Sequence, residues 1–458
     1  MMHRFAAYLL AAGLWATAPQ AQDIIDIPLE QAVPLAARAL QAGDAELAMR
    51  VAEAVLQARP DDRAALLIMA AAAPRTGDHA RGRQAGAKAW RLSDEPIQRY
   101  EAARLTALAA NAEGRLTTAS FWLRVALISA PNEAERARTM QDARAVARRN
   151  PWATQLTFSL TPSDNVNGGA EEELSSAPGN PTGVLTEDAL ALPGWRGTIG
   201  LTTRYIFQEN TQSRSTLRFG GQLSRVKLTG DTTIPDSAFD TGSADLSLSH
   251  ERRLGEGRFG VTVSIGQVSY RDFDLATNSS SAESYDVTRW SLSYGRSVND
   301  TTALQIAFAN ETLDYENTAI GTVARNRVSA SVTHRLESGD SLRLGYSVTA
   351  SEGENDNYTS SEYALDVRYS WAEPIGPVTL SAGAGLKWAE YPDYSLIFPV
   401  TGGRQDETIS ANLSVGFPQA EFAGFIPGLR LDAVKTDSNV SRFTRNSLGL
   451  GFTLRSSF

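Results

Sequence analysis

The sequence predicts an N-terminal α-helical repeat array followed by a fourteen-stranded antiparallel transmembrane β-barrel. Three observations predict it. Up to about residue 150 the chain is rich in Ala, Arg, Leu and Glu, and its Gly and Pro residues recur at near-constant spacing. From Trp152 onward apolar residues recur at every second position, and the chain closes on Phe458 at the end of an alternating strand. Packed helices and half-exposed strands differ in this way, one with a period near 3.6 and the other with a period of 2.

Composition narrows the classes of function. The 458 residues contain no cysteine, which removes disulfide scaffolds, thiolate metal sites and cysteine nucleophiles together. With 43 Lys+Arg against 52 Asp+Glu the net charge is -9, so no cation surplus is left for general nucleic-acid binding. A mean hydropathy of -0.25 excludes helical membrane spans, as does the lack of an apolar run of ~20 residues beyond the N-terminus. Barrel strands alternate and average near zero, so a membrane barrel remains open.

Residues 1–21 read as a secretory signal. His3 and Arg4 make a short positive head, and Phe5 to Ala18 is apolar but too short to span a bilayer. Cleavage is expected after Ala21, with Ala18 as the alternative. No cysteine follows, so the mature chain is not expected to be a lipoprotein.

Residues 22–150 are expected to form a helical domain. Gly43-Asp44 and Gly77-Asp78 lie 34 residues apart, and Gly114-Arg115 follows after 37. Pro60, Pro96 and Pro131 answer them, and small residues recur at Ala48, Gly82 and Ala119. A glycine turn would end the first helix of each pair, small residues would let the second approach closely, and proline would stop it. This layout resembles the tetratricopeptide repeat, in about three units, the minimum for a continuous stacked core. The array is either a spacer or a concave platform that grips a partner.

Residues 151–458 are expected to form the barrel. In 341–350, Leu342, Leu344, Tyr346 and Val348 alternate with Ser341, Arg343, Gly345 and Ser347, and the same split recurs in 363–371 and 378–388. One face tolerates charge and small polar groups, while the other is aliphatic with aromatic ends, as lipid-facing and lumen-facing positions require. Strands are expected at 153–162, 194–208, 213–229, 240–253, 257–271, 284–296, 301–314, 323–336, 340–351, 359–372, 376–389, 405–418, 427–437 and 441–458. Long connections, including 163–193, 230–239, 272–283, 315–322, 352–358 and 390–404, alternate with short ones such as Leu254-Gly255-Glu256. Bacterial barrels keep long loops outside and short turns in the periplasm, which puts residues 22–150 in the periplasm. In the last strand Leu448, Leu450, Phe452, Leu454 and Phe458 share one face. An aromatic C-terminus there looks like the signal read by the outer-membrane barrel-assembly machinery.

The segment that opens the barrel runs Leu156, Phe158, Leu160, then Pro162, Ser163, Asp164, Asn165, Val166 and Asn167. An alternating apolar strand followed by this polar run resembles the start of the barrel in the surface lipoprotein assembly modulators, also called Slam proteins. The resemblance spans most of the mature chain, although an array of about three repeats is short. It implies a translocon that moves lipoproteins, or soluble secreted proteins, across the outer membrane. Its partners would be that client, periplasmic chaperones, the barrel-assembly machinery and outer-membrane lipid.

Nothing in the residues suggests an enzyme or a bound cofactor. His3, His79, His250 and His334 are scattered without metal-ligand spacing, and no glycine loop has phosphate-loop context. The period of two sends Arg204, Arg218, Arg289, Arg327, Arg343, Arg368, Lys387, Arg430 and Arg455 to the polar face, with Asp245, Asp366 and Asp432. A cation on the lipid face would cost roughly 2–4 kcal/mol at the midplane, so these groups should line the lumen or lie at the interfaces. They would form either a wall of ion pairs or a cationic lining that attracts acidic or partly unfolded clients. The leading function is a protein translocon whose periplasmic repeats capture the client. An exopolysaccharide export porin and a passive porin are the alternatives. Removing Phe458 should lower the amount of folded, heat-modifiable barrel in the outer membrane; an unchanged amount would show that the terminal aromatic carries no assembly signal.

Overall fold

The computed structural model describes residues 28–456 apart from 275–278 and 423, and leaves out the side chains of 272–274, 279 and 280. The expected signal segment and Phe458 lie outside the described residues. The architecture is that predicted, a helical segment followed by a closed fourteen-stranded antiparallel barrel.

The helices are α1 (Leu29–Gln41), α2 (Ala45–Ala58), α3 (Arg63–Ala72), α4 (His79–Arg91), α5 (Pro96–Ala112), α6 (Leu116–Ile128) and α7 (Glu133–Arg149). Each recurring Gly-Asp pair is a stop joined to a start. Gly43 and Gly77 adopt φ of 89° and 93°, the left-handed conformation that ends a helix and that other residues resist. The next residue caps the following helix: Asp44 accepts from the Leu47 N–H at 2.9 Å, and Asp78 from the Arg81 N–H at 3.1 Å. Gly114 keeps the left-handed turn, but Arg115 provides no side-chain cap. The expected role of proline needs correction at Pro96, which does not stop a helix but opens α5, where its missing N–H costs nothing. Pro60 and Pro131 sit between helices.

The small residues permit close approach. A Cβ on Gly82 would lie 2.6 Å from the Pro74 ring, and one on Gly86 2.4 Å from Thr106 Oγ1. Ala36, Ala48, Ala52, Met69 and Ala89 are buried among these helices, so the core is built largely of methyl groups. The chain divides into two compact units, one ending at Glu113 and one beginning at Gly114, so α6 and α7 group with the barrel.

The barrel begins with β1 (Trp152–Ser163), and the loop after it carries a small hairpin, β2 (Leu174–Ser175) with β3 (Gly183–Val184), which sequence reading missed. Next come β4 (Gly194–Glu209), β5 (Ser213–Leu228), β6 (Thr241–Leu254), β7 (Gly257–Asp274), β8 (Ser279–Ser297) and β9 (Thr302–Tyr315). The remainder are β10 (Thr322–Arg335), β11 (Ser341–Gly353), β12 (Ser360–Ser370), β13 (Thr379–Tyr391), β14 (Arg404–Gly416), β15 (Phe425–Ser438) and β16 (Arg445–Ser456). Neighbours in sequence pair antiparallel, and β1 closes the barrel on β16.

The largest shifts from the expected boundaries fall at two places. The connection 272–283 is largely strand, because the β7–β8 ladder continues through Ser and Asp residues that show no apolar alternation. The last strand starts at Arg445 rather than 441, since Ser441–Phe443 form a 3-10 turn. That makes the final outer connection 439–444, longer than the expected 438–440.

The apolar side chains on one face of the strands are solvent-exposed, with Ile199 at 56%, Leu223 at 59% and Ile409 at 59%. Cross-strand partners continue the band, as in Phe158 opposite Ile199, Phe219 opposite Leu246 and Val263 opposite Trp290. Leaving such side chains in water would forfeit about 1.5–3 kcal/mol each, so the belt belongs in hydrocarbon. Aromatic residues flank it. Trp152 stacks on Tyr205 at 4.5 Å near the short-turn end, and Tyr363 pairs across from Trp388 near the long-loop end.

Candidate functional site: the barrel lumen and its mouths

The strand register puts every expected lumen charge on the face opposite the apolar belt. Arg343 lies between Leu342 and Leu344, Arg368 between Val367 and Tyr369, and Lys387 between Leu386 and Trp388, so their side chains point inward. Arg218 pairs with Asp245 at 2.8 Å and Arg430 with Asp432 at 2.7 Å. Arg289 pairs with Glu311, which also lies 3.6 Å from Arg325; Lys387 is 3.8 Å from Glu362. Arg327 donates to Ser347 Oγ at 3.0 Å. Glu311 and Glu362 were missed as partners, although their lumen parity was legible in the sequence.

The polar run after β1 is a clasp. Where the β1–β16 ladder runs out at Ser163, side chains continue the seam. Ser163 Oγ lies 3.3 Å from Ser447 Oγ, Asp164 accepts from the Leu448 N–H at 2.9 Å, and Asn165 donates to the Asn446 carbonyl at 3.1 Å. Pro162, which has no N–H, cannot donate across this seam. Asn165 also holds both backbone groups of Gly169, accepting at 2.8 Å and donating at 2.9 Å. Asn167 ties the loop to its returning limb, donating to the Asp188 and Leu190 carbonyls and accepting from the Leu192 N–H. Only glycine fits at 169, since a Cβ there would lie 2.2 Å from the Leu190 carbonyl oxygen. Beneath the clasp Val166 packs with Leu192, Val226, Leu228, Ile234 and Ala238.

This first loop is also knitted to two later ones. Thr401 donates to the Pro178 carbonyl at 3.0 Å, and Ser441 and Ser176 exchange hydrogen bonds at 2.8 and 2.9 Å. Nearby, the Arg404 guanidinium sits 3.3 Å from the Phe443 ring centre and 4.2 Å from that of Tyr391, while pairing with Asp406 at 2.5 Å. Tyr270, Tyr285, Tyr315 and Tyr358 follow one another at ring separations of 6.1, 4.5 and 6.2 Å. Sequence reasoning found neither group, because each joins residues remote along the chain. In the loop 229–240, the Lys227 ammonium and the Leu228 N–H hold the Asp236 carboxyl below its ordinary range.

At the opposite end, α7 reaches the barrel. Arg136 donates to the Glu421 carbonyl at 2.6 Å, in the turn between β14 and β15. Among arginines on the helices, Arg50 is exposed, whereas Arg83 is half-buried against Glu113 at 2.6 Å. Arg124 is half-buried too, and burial lowers its pKa. Long side chains on a helix cover neighbouring apolar surface, and sequence does not show when they do so. Phe452 and Leu454 face outward, opposite Leu160 and Phe158.

A closed barrel with an apolar outer belt, aromatic borders and a charged lumen defines an outer-membrane β-barrel protein. Its barrel carries the signature of the surface lipoprotein assembly modifier family, whose profile matches residues 260–448. The resemblance drawn from the sequence is thereby shown; the matched stretch runs from β7 into β16 and leaves out the half of the clasp that follows β1. The family supports a role in surface lipoprotein assembly and implies surface lipoproteins as clients. No curated protein matches the chain. Among solved structures, a loop-deletion mutant of OmpT from Vibrio cholerae is 9% identical, covering 67% of this chain and 99% of its own, with a TM-score of 0.35. An outer-membrane channel from Pseudomonas putida F1 is 15% identical over 66% of this chain and 94% of its own, with a TM-score of 0.34. The translocator chaperone SycD of Yersinia enterocolitica is 21% identical over 27% of this chain and 88% of its own, with a TM-score of 0.25.

The clasp yields a direct test. Asn165→Ala removes three hydrogen bonds from a buried side chain, at a cost of about 1–3 kcal/mol. The temperature at which the folded band converts on gels should fall by several degrees, and Gly169→Ala should act alike. A conversion temperature equal to that of the unaltered chain would show that the clasp does not secure the seam.

Proposed function

We propose that the protein is an outer-membrane translocon that delivers surface lipoproteins, or secreted proteins, to the cell surface, and that its helices capture the client in the periplasm. The family match over residues 260–448 carries this reading. Orientation supports the capture role. The chain passes from Arg149 at the end of α7 to Trp152 at the start of β1, on the short-turn side. Long loops of bacterial barrels face outward, so that side is the periplasm. Helices α1 to α5, each packed on the next, would offer a stacked surface to an extended or helical ligand. Tethering would hold a bound client at the pore at roughly millimolar effective concentration, so modest affinity suffices. Folding of the client outside would make return improbable and drive passage without nucleotide hydrolysis.

Because α6 and α7 group with the barrel, deleting residues 28–113 should leave a folded barrel. Co-expressed with a candidate lipoprotein client, the truncated chain should show sharply reduced surface display, measured by antibody on intact cells. Full display would refute capture by the helices. Protease added to intact cells should spare the helices while cutting the outer loops; cleavage of the helices would reverse the orientation.

A further inference from the structure

The two ends of the lumen differ in how their charges are met. Towards the long loops each inward carboxylate named above has a cation, as in Glu311 with Arg289 and Arg325, Glu362 with Lys387, and Asp406 with Arg404. Towards the short turns Arg218 still pairs with Asp245, but the balance fails at four other arginines. Arg343 is the third residue of β11, Arg368 the third from the end of β12, Arg455 the next to last of β16, and Arg204 lies in the second half of β4. All four are exposed on the lumen face. Among the described residues none has a carboxylate within ion-pair distance. The acids nearest in sequence do not reach them: Asp366 on β12 stands opposite Gly345 and Gly385, and Asp340, just before β11, accepts from the Tyr369 hydroxyl and the Ala372 N–H.

The register sharpens the imbalance. Arg343 stands directly opposite Arg368, and Arg204 directly opposite Arg218, whose own partner is Asp245. Like charges facing each other across antiparallel strands are destabilising. Asp245 offsets this cost at Arg218, whereas among the described residues no carboxylate offsets it at Arg204, Arg343 or Arg368. The wall beside them is built of small groups. Arg368, Arg430 and Arg455 surround one pocket of about 380 Å³ with Ser381, Gly428 and Thr453, and Arg455 also borders a second with Arg204. The guanidinium groups therefore project into open space around the β11–β16–β4 side of the lumen.

We propose that Arg204, Arg343, Arg368 and Arg455 form a carboxylate-binding arc at the short-turn mouth, which engages acidic stretches of polypeptide in transit; this rests on the translocon reading. Guanidinium presents paired donors that match a carboxylate in plane, and such charge-assisted bonds are the strong ones. Arg343 and Arg368 stand on adjacent strands, about 4.8 Å apart. Arg368 and Arg455 border one pocket, and Arg455 and Arg204 the next, so an acidic segment crossing the mouth can meet the four in turn. The arc takes up the leading acidic segment and releases it as the chain advances towards the ion-paired half.

The test uses the full chain in detergent and a fluorescently labelled oligoglutamate peptide read by anisotropy, with oligolysine and inorganic phosphate as comparisons. The variant R204Q/R343Q/R368Q/R455Q should lose about tenfold in affinity, and binding should weaken steeply with salt. Arg225→Gln, a cation paired with Asp240 on the outer face, should leave binding unchanged. Affinity within twofold of the unaltered chain in the quadruple variant, or equal binding of oligolysine, would overturn the arc. Displacement of the peptide by phosphate at equal charge concentration would overturn the polypeptide assignment in favour of a small-anion site. If the quadruple variant does not fold, R343Q/R368Q and R204Q/R455Q should each lose about threefold. Peptide binding with no client display in cells sinks the translocon reading and leaves the arc standing; lost binding with full display sinks its role in transit.

Discussion

Hydrocarbon offers no partner to a backbone N–H or C=O, and the remainder of this structure follows from that. A sheet in such a medium must close, because each open edge would leave a row of unmet polar groups. Closure of β1 on β16 satisfies the rows and fixes which face of every strand meets lipid. The period of two is then imposed by the solvent on both sides. Leu, Ile and aromatic side chains face outward, and Gly, Ser, Thr and charged groups face the lumen.

Closure has one weak line, the seam where chain ends meet. All other barrel pairings join strands linked by a turn or loop, whereas β1 and β16 are brought together from opposite ends of the domain. Their ladder is supplemented by the clasp, in which Ser163, Asp164 and Asn165 reach the stretch Asn446 to Leu448. The polar run that looked like a family signature is thus explained by mechanics. It secures the seam and also anchors the first loop, which in turn binds the loops at 392–403 and 439–444.

The lumen joins structure to function through charge. Ion pairs in the half near the long loops stiffen the wall, and the Arg404 stack on Phe443 and Tyr391 does the same at the loops. The opposite mouth holds Arg204, Arg343, Arg368 and Arg455, which meet no carboxylate among the described residues, beside the end where α7 meets the turn containing Glu421. On the proposed translocon reading, a barrel that takes up a chain at one end and releases it at the other has use for such asymmetry.

The sequence by itself determined that helices precede the barrel, the number of barrel strands and the alternation of apolar with polar positions along them. Those features depend on period, and period is a local property: the Gly43-Asp44 stop and start, or Arg343 between two leucines, is readable from a few neighbours. Tertiary structure alone decided who meets whom. Whether Arg289 finds Glu311 while Arg368 finds no acid among the described residues depends on register between strands. So does the meeting of Tyr285 with Tyr315, or of Asn165 with Asn446. The exposure of Arg50 against the half-burial of Arg83 depends likewise on which helix packs beside it. Pairing at a distance is set by the closure of the sheet and the stacking of helices, and no short window of sequence contains either.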